Sequence, residues 1–221
     1  MISIKWLWQS WFQIKSGHNV IYIDPAYLSL NSYFKPENIE NLSKNLEKGN
    51  LVLITHNHMD HCNKNIINDL KYENTVILAP KSCVDKIGGG VTVVKTGDEL
   101  KFNDIIVKVV DAYTTGLRKF HVKGECVGYV LTVDNKRIYH AGDTDFIPEM
   151  KNLGMIDIAL IPIGGIFTMD IKEAVKAVSA INPKIVIPMH ILASNPEDFK
   201  KELSMNNVKV VLLRDKESFE Y

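Results

Sequence analysis

The chain has 221 residues, 46% apolar and 24% charged, and its 26 basic and 26 acidic side chains balance to a formal net charge of zero. This profile fits a globular protein with one substantial core, and without a basic excess it argues against a dedicated nucleic-acid binder. The opening MISIKWLWQSWFQIK has no basic start followed by an apolar run, and no later stretch approaches the roughly 18 apolar residues of a membrane span, so a cytoplasmic protein is expected.

Residues 1 to 23 alternate β-branched and aromatic residues with polar ones and turn at KSGHN, which predicts a meander of two or three strands. KPENIENLSKNLEKG predicts a helix with Pro36 in its first turn, Ile39, Leu42 and Leu46 on one face, and Gly49 at its end. The strand LVLIT follows, then a helix from Asp60 to Lys71, the strand TVILAP, and a short helix after Pro80 closed by glycines 88 to 90. From Val91 to His140 the pattern predicts antiparallel strands: VTVVKTGDEL, IIVKVVDAY, CVGYVLTVD and RIYHAG, the last two joined by the tight turn DNK. The final third returns to β/α alternation, with strand IDIALIPI, a helix from Asp170 to Ile181, strand KIVIPM, a helix near Pro196 to Met205, and strand VKVVLL.

No linker or short repeat divides these parts. One echo connects them: NLEKGNLVLITH and VSAINPKIVIPMH each read as helix, break, buried strand and histidine. A layered α/β architecture would carry His56 and His190 to one rim in this way. Cys62, Cys83 and Cys126 are odd in number and lack C-x-x-C spacing, so they are expected to be reduced thiols.

THNHMDHCN, residues 55 to 63, holds three of the seven histidines. His56 and His58 are two apart and can project from one side of an extended segment. Asp60 and His61 lie where the chain leaves the strand and can address a second point, so the spacing suits two adjacent ions. Taken singly, each residue also fits an ordinary helix entry with Asp60 as cap. Together they favour metal, with Zn expected first and Mn, Fe or Ni also compatible with nitrogen and carboxylate donors. Asp143, in the sharp turn AGDT, is the natural bridging carboxylate, and His190 would complete the second ion. By strand parity His140 faces away from Asp143 and is expected in the core, and Asp145 is expected to cap the following helix.

HNHMDH, AGDT and PMH resemble the motifs of the metallo-β-lactamase superfamily, in order and spacing, from YIDP at 22 to 25 through PMH at 188 to 190. The most similar branch is that of small hydrolases like L-ascorbate-6-phosphate lactonase. The resemblance implies a mixed α/β fold, a four-layer αββα sandwich, as a single hydrolase domain over residues 1–221. It also implies two divalent transition-metal ions: His56 and His58 on the first, Asp60, His61 and His190 on the second, Asp143 between them. A further first-site histidine is usual in the family after a strand, where VVDAYTTG has Ala112, Tyr113 and Thr114. His121 is the only histidine left in that interval and is nominated as its substitute. Gln9 stands where many relatives carry a glycine-histidine pair and is not read as a ligand.

The implied reaction is attack by a metal-bound hydroxide on an ester, lactone or phosphoester of a small metabolite, with Asp60 orienting the nucleophile. Arg118 and Lys119, with Lys123, could hold a phosphate or carboxylate, although a solvated loop also explains them. The glycines of PIGGIFTMD could let backbone approach a ligand, and Asp170 and Glu173 have capping-box spacing. The expected partner is a small molecule rather than a membrane or nucleic acid, with homo-oligomers left open. A phosphodiesterase or nuclease of the same superfamily, or a non-catalytic metal-binding module, are the alternatives.

Overall fold

The computed structural model describes residues 1–27, 41–116 and 120–221. These residues divide into two compact units, Met1–Val94 with Leu213–Tyr221, and Lys95–Leu212. Among the described residues, each unit contains one seven-stranded sheet.

In the first unit β1 (Ile2–Trp8), β2 (Trp11–Ser16) and β3 (Asn19–Ile23) form the expected antiparallel meander. β4 (Gly49–Leu53), β5 (Lys71–Ala79) and β6 (Val91–Val93) then add in parallel, and the C-terminal β14 (Ser218–Glu220) pairs antiparallel with β1. Helix α1 (Lys64–Leu70) buries Ile66, Ile67 and Leu70 in a cluster with Trp11, Tyr22, Val52, Ile54 and Ile77. Each such aliphatic side chain contributes about 1.5–3 kcal/mol by leaving water. A Cβ on Gly49 would lie 2.8 Å from the Tyr22 ring, which explains the glycine at the start of β4.

The second unit opens with antiparallel β7 (Glu99–Phe102), β8 (Ile105–Asp111), β9 (Val127–Val133) and β10 (Lys136–His140). It continues in parallel through β11 (Ile158–Pro162), β12 (Ile185–Met189) and β13 (Lys209–Val210). Helix α3 (Ile171–Ile181) joins β11 to β12 and α4 (Pro196–Glu202) joins β12 to β13; the short helix of the first unit, α2, is Val84–Ile87. The expected capping box on α3 is present, with Asp170 accepting from Glu173 N and Glu173 accepting from Asp170 N. The echo between the halves therefore has a structural form: β4 and β12 are inner strands of parallel sets, flanked by β3 and β5 and by β11 and β13.

Several boundaries differ from expectation. The predicted helix at 36–49 falls partly outside the described residues, and its remainder holds a 3-10 turn at Ser43–Asn45. Helix α1 starts at Lys64 rather than Asp60, because Asn63 supplies the cap and accepts from the amides of Asn65 and Ile66. VTVVKTGDEL is two strands in two sheets: Lys95 N donates to Asp98 Oδ2 and Gly97 sits at φ +95°, so a tight turn ends β6, which pairs parallel with β5, before β7 begins. Among the described residues no helix is long and apolar enough to cross a membrane.

Candidate metal centre

Ligands of open α/β sheets collect outside the C-terminal ends of parallel strands, and in the first unit THNHMDHCN emerges there from β4. The segment turns on itself, with His61 N and Cys62 N both donating to the His58 carbonyl. This gathers the imidazoles: the His56 ring centre is 4.6 Å from that of His58 and 4.0 Å from that of His61. Asp60 Oδ2 lies 3.7 Å from His61 Nε2. His56 and His61 are buried, Asp60 is partly exposed and His58 is exposed. All four residues nominated from this stretch thus stand together.

Sequence reasoning missed the two residues that orient them. Asp24, at the end of β3, is fully buried; its Oδ1 accepts from Thr55 N and its Oδ2 from Thr55 Oγ1, both at 2.7 Å. His61 Nδ1 also lies 2.7 Å from Asp24 Oδ2. A carboxylate only accepts, so His61 carries its proton on Nδ1, and in the neutral ring Nε2 keeps the lone pair. Having given its own proton to Asp24, Thr55 Oγ1 accepts from His56 Nδ1 at 3.0 Å and fixes the same tautomer there. Such outer partners set both the direction and the basicity of metal-ligating imidazoles. The visible signal was the aspartate of YIDP directly after a buried strand.

In the second unit, Asp143 follows β10, His190 follows β12, and His121 lies on the connection between β8 and β9. All three are buried, including His121, which the charged sequence around it could equally have placed in solvent. Asp143 Oδ2 is 3.4 Å from His121 Nε2 and 3.4 Å from His190 Nε2. A charge-assisted hydrogen bond would be about 2.7–2.9 Å. Two donors each about 2.1 Å from one tetrahedral ion lie about 3.4 Å apart, so this spacing is the one expected of ligands sharing metal. The donor set of imidazole nitrogen and carboxylate oxygen suits the same ions, and the residues fit the group that the motifs imply.

His190 adopts φ +44°, a left-handed conformation rare outside glycine, and the neighbouring backbone packs against it. A Cβ on Gly164 would lie 2.5 Å from the His190 carbonyl oxygen. The first glycine of PIGGIFTMD therefore makes room for the backbone of a candidate ligand. Gly164→Ala is expected to cost about 1–3 kcal/mol through this overlap. Thermal unfolding of the metal-free protein reads that cost, and chelator competition reads the accompanying loss of metal affinity through His190.

The remaining nominations resolve as follows. His140 is buried and its Nδ1 accepts from Gly142 N, as expected of a core histidine. Asp145 caps no helix; its Oδ2 instead accepts from the amide and hydroxyl of Thr115, because the chain after Asp143 pairs with the residues following β8. Gln9 is a turn residue at φ +43° whose carbonyl accepts from Trp6 Nε1. Arg118 and Lys119 lie outside the described residues. Lys123 is engaged by Glu149 at 2.6 Å, a bond that holds the glutamate below and the lysine above its usual range.

Known proteins match this chain. The profile described as a β-lactamase superfamily domain matches residues 3–190. A UPF0173 metal-dependent hydrolase of Pyrococcus abyssi is 34% identical over the full length of both chains, and one of Staphylothermus marinus is 35% identical, again over both full lengths. The chain belongs to the metallo-β-lactamase superfamily. Among solved structures, one from Parabacteroides distasonis superposes with a TM-score of 0.86 at 30% identity, covering 98% of this chain and 94% of that one. Igni18, a metallo hydrolase from Ignicoccus hospitalis, gives 0.80 at 27% identity and covers 100% and 99%. This member of the superfamily is thus a metal-dependent hydrolase with the superfamily's mixed α/β, two-sheet fold.

Proposed function

We propose that this hydrolase, acting as one domain over residues 1–221, holds two divalent metal ions and cleaves an ester, lactone or phosphoester of a small metabolite. His56, His58 and His121 would hold the first ion, Asp60, His61 and His190 the second, and Asp143 would bridge them. The observation that carries this reading is Asp143 Oδ2 at 3.4 Å from both His121 Nε2 and His190 Nε2, since one carboxylate oxygen facing two imidazoles suits a bridge. Family membership and the oriented imidazoles of His56 and His61 support the rest. Zinc is the ion we favour, on donor chemistry.

When bound, such ions supply Lewis acidity and bring the pKa of water toward neutrality. The protein's own part is orientation. Asp24 and Thr55 hold His61 and His56 in one tautomer. The Asp60 side chain is 19% exposed against 3% for Asp143, so solvent reaches it, which supports a role in orienting the attacking water. The three cysteines, none of them in a disulfide, support a reducing, cytoplasmic setting.

The test is a screen of lactones, carboxylic esters, thioesters, phosphomonoesters, phosphodiesters and RNA, with Asp143→Ala as the blank. Metal-dependent turnover of a small ester, lactone or phosphoester is expected. Turnover of RNA alone would replace the proposal with the nuclease reading, and no turnover by metal-loaded protein would favour the non-catalytic one.

A further inference from the structure

The residues between β8 and β9 explain how a histidine in a charged loop comes to face Asp143. Beyond β8 the chain is zipped to the segment that follows Asp143: Asp145 N donates to the Tyr113 carbonyl, Tyr113 N to Thr144 Oγ1, and Thr115 N to Asp145 Oδ2. One frame therefore carries both Asp143 and the start of the loop. The loop returns to that frame at Thr114. Its amide donates to the His121 carbonyl at 3.0 Å, and its Oγ1 accepts from His121 N at 3.0 Å and from Phe120 N at 3.1 Å. Thr114 and His121 are both buried, so these bonds form where water competes poorly.

We infer that Thr114 is the positioning residue for His121: its hydroxyl and amide clamp the backbone of residues 120 and 121, and this clamp aims the imidazole at Asp143. The inference rests on the reading of His121 as a metal ligand. The hydroxyl accepts two backbone amides, a task that valine, of nearly equal shape, cannot perform and serine can. Losing it takes the acceptor from the buried His121 N–H and the partly buried Phe120 N–H, beside a ring that must stay within a fraction of an ångström of its place.

The experiment compares wild type, Thr114→Val, Thr114→Ser and His121→Ala in the whole chain. Zn²⁺ affinity is read by competition with a chromophoric chelator, coordination by the visible absorption of the Co²⁺-loaded form, and folding by circular dichroism. Thr114→Val and His121→Ala are each expected to weaken one of the two ions by about 10–100-fold, with Thr114→Ser close to wild type. If Thr114→Val binds both ions as wild type does while His121→Ala does not, the positioning role is wrong and the ligand reading survives. If His121→Ala itself binds both ions as wild type does, the ligand reading fails first. Should Thr114→Val not fold, Thr114→Ser decides: an affinity as low as that of His121→Ala in a variant that keeps the hydroxyl overturns the inference.

Discussion

Asp143→Ala is expected to deplete bound metal and to lower kcat/KM by several kcal/mol of transition-state stabilisation, on the order of 10³-fold or more. The reason is geometric. Asp143 Oδ2 lies 3.4 Å from both His121 Nε2 and His190 Nε2, so its loss removes a donor common to both proposed ions. The carboxylate is also buried, so no solvent anion reaches its place readily. Asp143→Asn should retain part of the metal, because an amide oxygen can serve one ion but carries no charge to balance two. Elemental analysis of the purified variants, alongside kinetics on whichever substrate the screen identifies, checks both. Full occupancy in Asp143→Ala would remove the bridge from the account.

Asp24→Asn is expected to lower stability by about 2 kcal/mol and metal affinity by about 10–100-fold, although Asp24 is not itself a proposed ligand. Asp24 takes up two donors from Thr55 and one from His61 on its two oxygens. The asparagine amide would present N–H groups to one of these donors and leave it unpaired in a fully buried position. The substitution is a clean one, because Asp24 sits at φ +49° and asparagine tolerates that left-handed conformation as well as aspartate does. Thermal unfolding without metal reads the first effect, and chelator competition the second. Unchanged metal affinity in a folded variant would show that the Asp24–Thr55 relay does not control the His56 and His61 tautomers.

The candidate metal-binding stretches were legible because their chemistry is local. Three histidines and an aspartate within six positions, directly after an apolar strand, need only that strand to be gathered together. Asp143 and His190 were legible for the same reason, each following a run whose apolar pattern marks a buried strand. The supporting residues were not. Asp24 and His61 are 37 positions apart, and only the parallel pairing of β3 with β4 brings their segments side by side. Burial of His121 was hidden differently, since the arginine and lysines around it suggest solvent and only the return of the loop onto Thr114 shows otherwise. The helix expected from Asp60 begins at Lys64 because residues 57–62 form the turn that carries the candidate ligands. VTVVKTGDEL divides between two sheets because KTGD, whose Lys95 N donates to Asp98 Oδ2, is a turn rather than the middle of one strand.

The central claim is a pair of metal ions held by His56, His58, Asp60, His61, His121, Asp143 and His190. Its most direct test is elemental analysis of the purified protein after loading with Zn²⁺, Mn²⁺, Fe²⁺ or Ni²⁺ and removal of excess ion. About two ions per chain are expected for at least one of these metals, falling below one in Asp143→Ala. Less than one transition-metal ion per chain in the loaded wild-type protein would contradict the account.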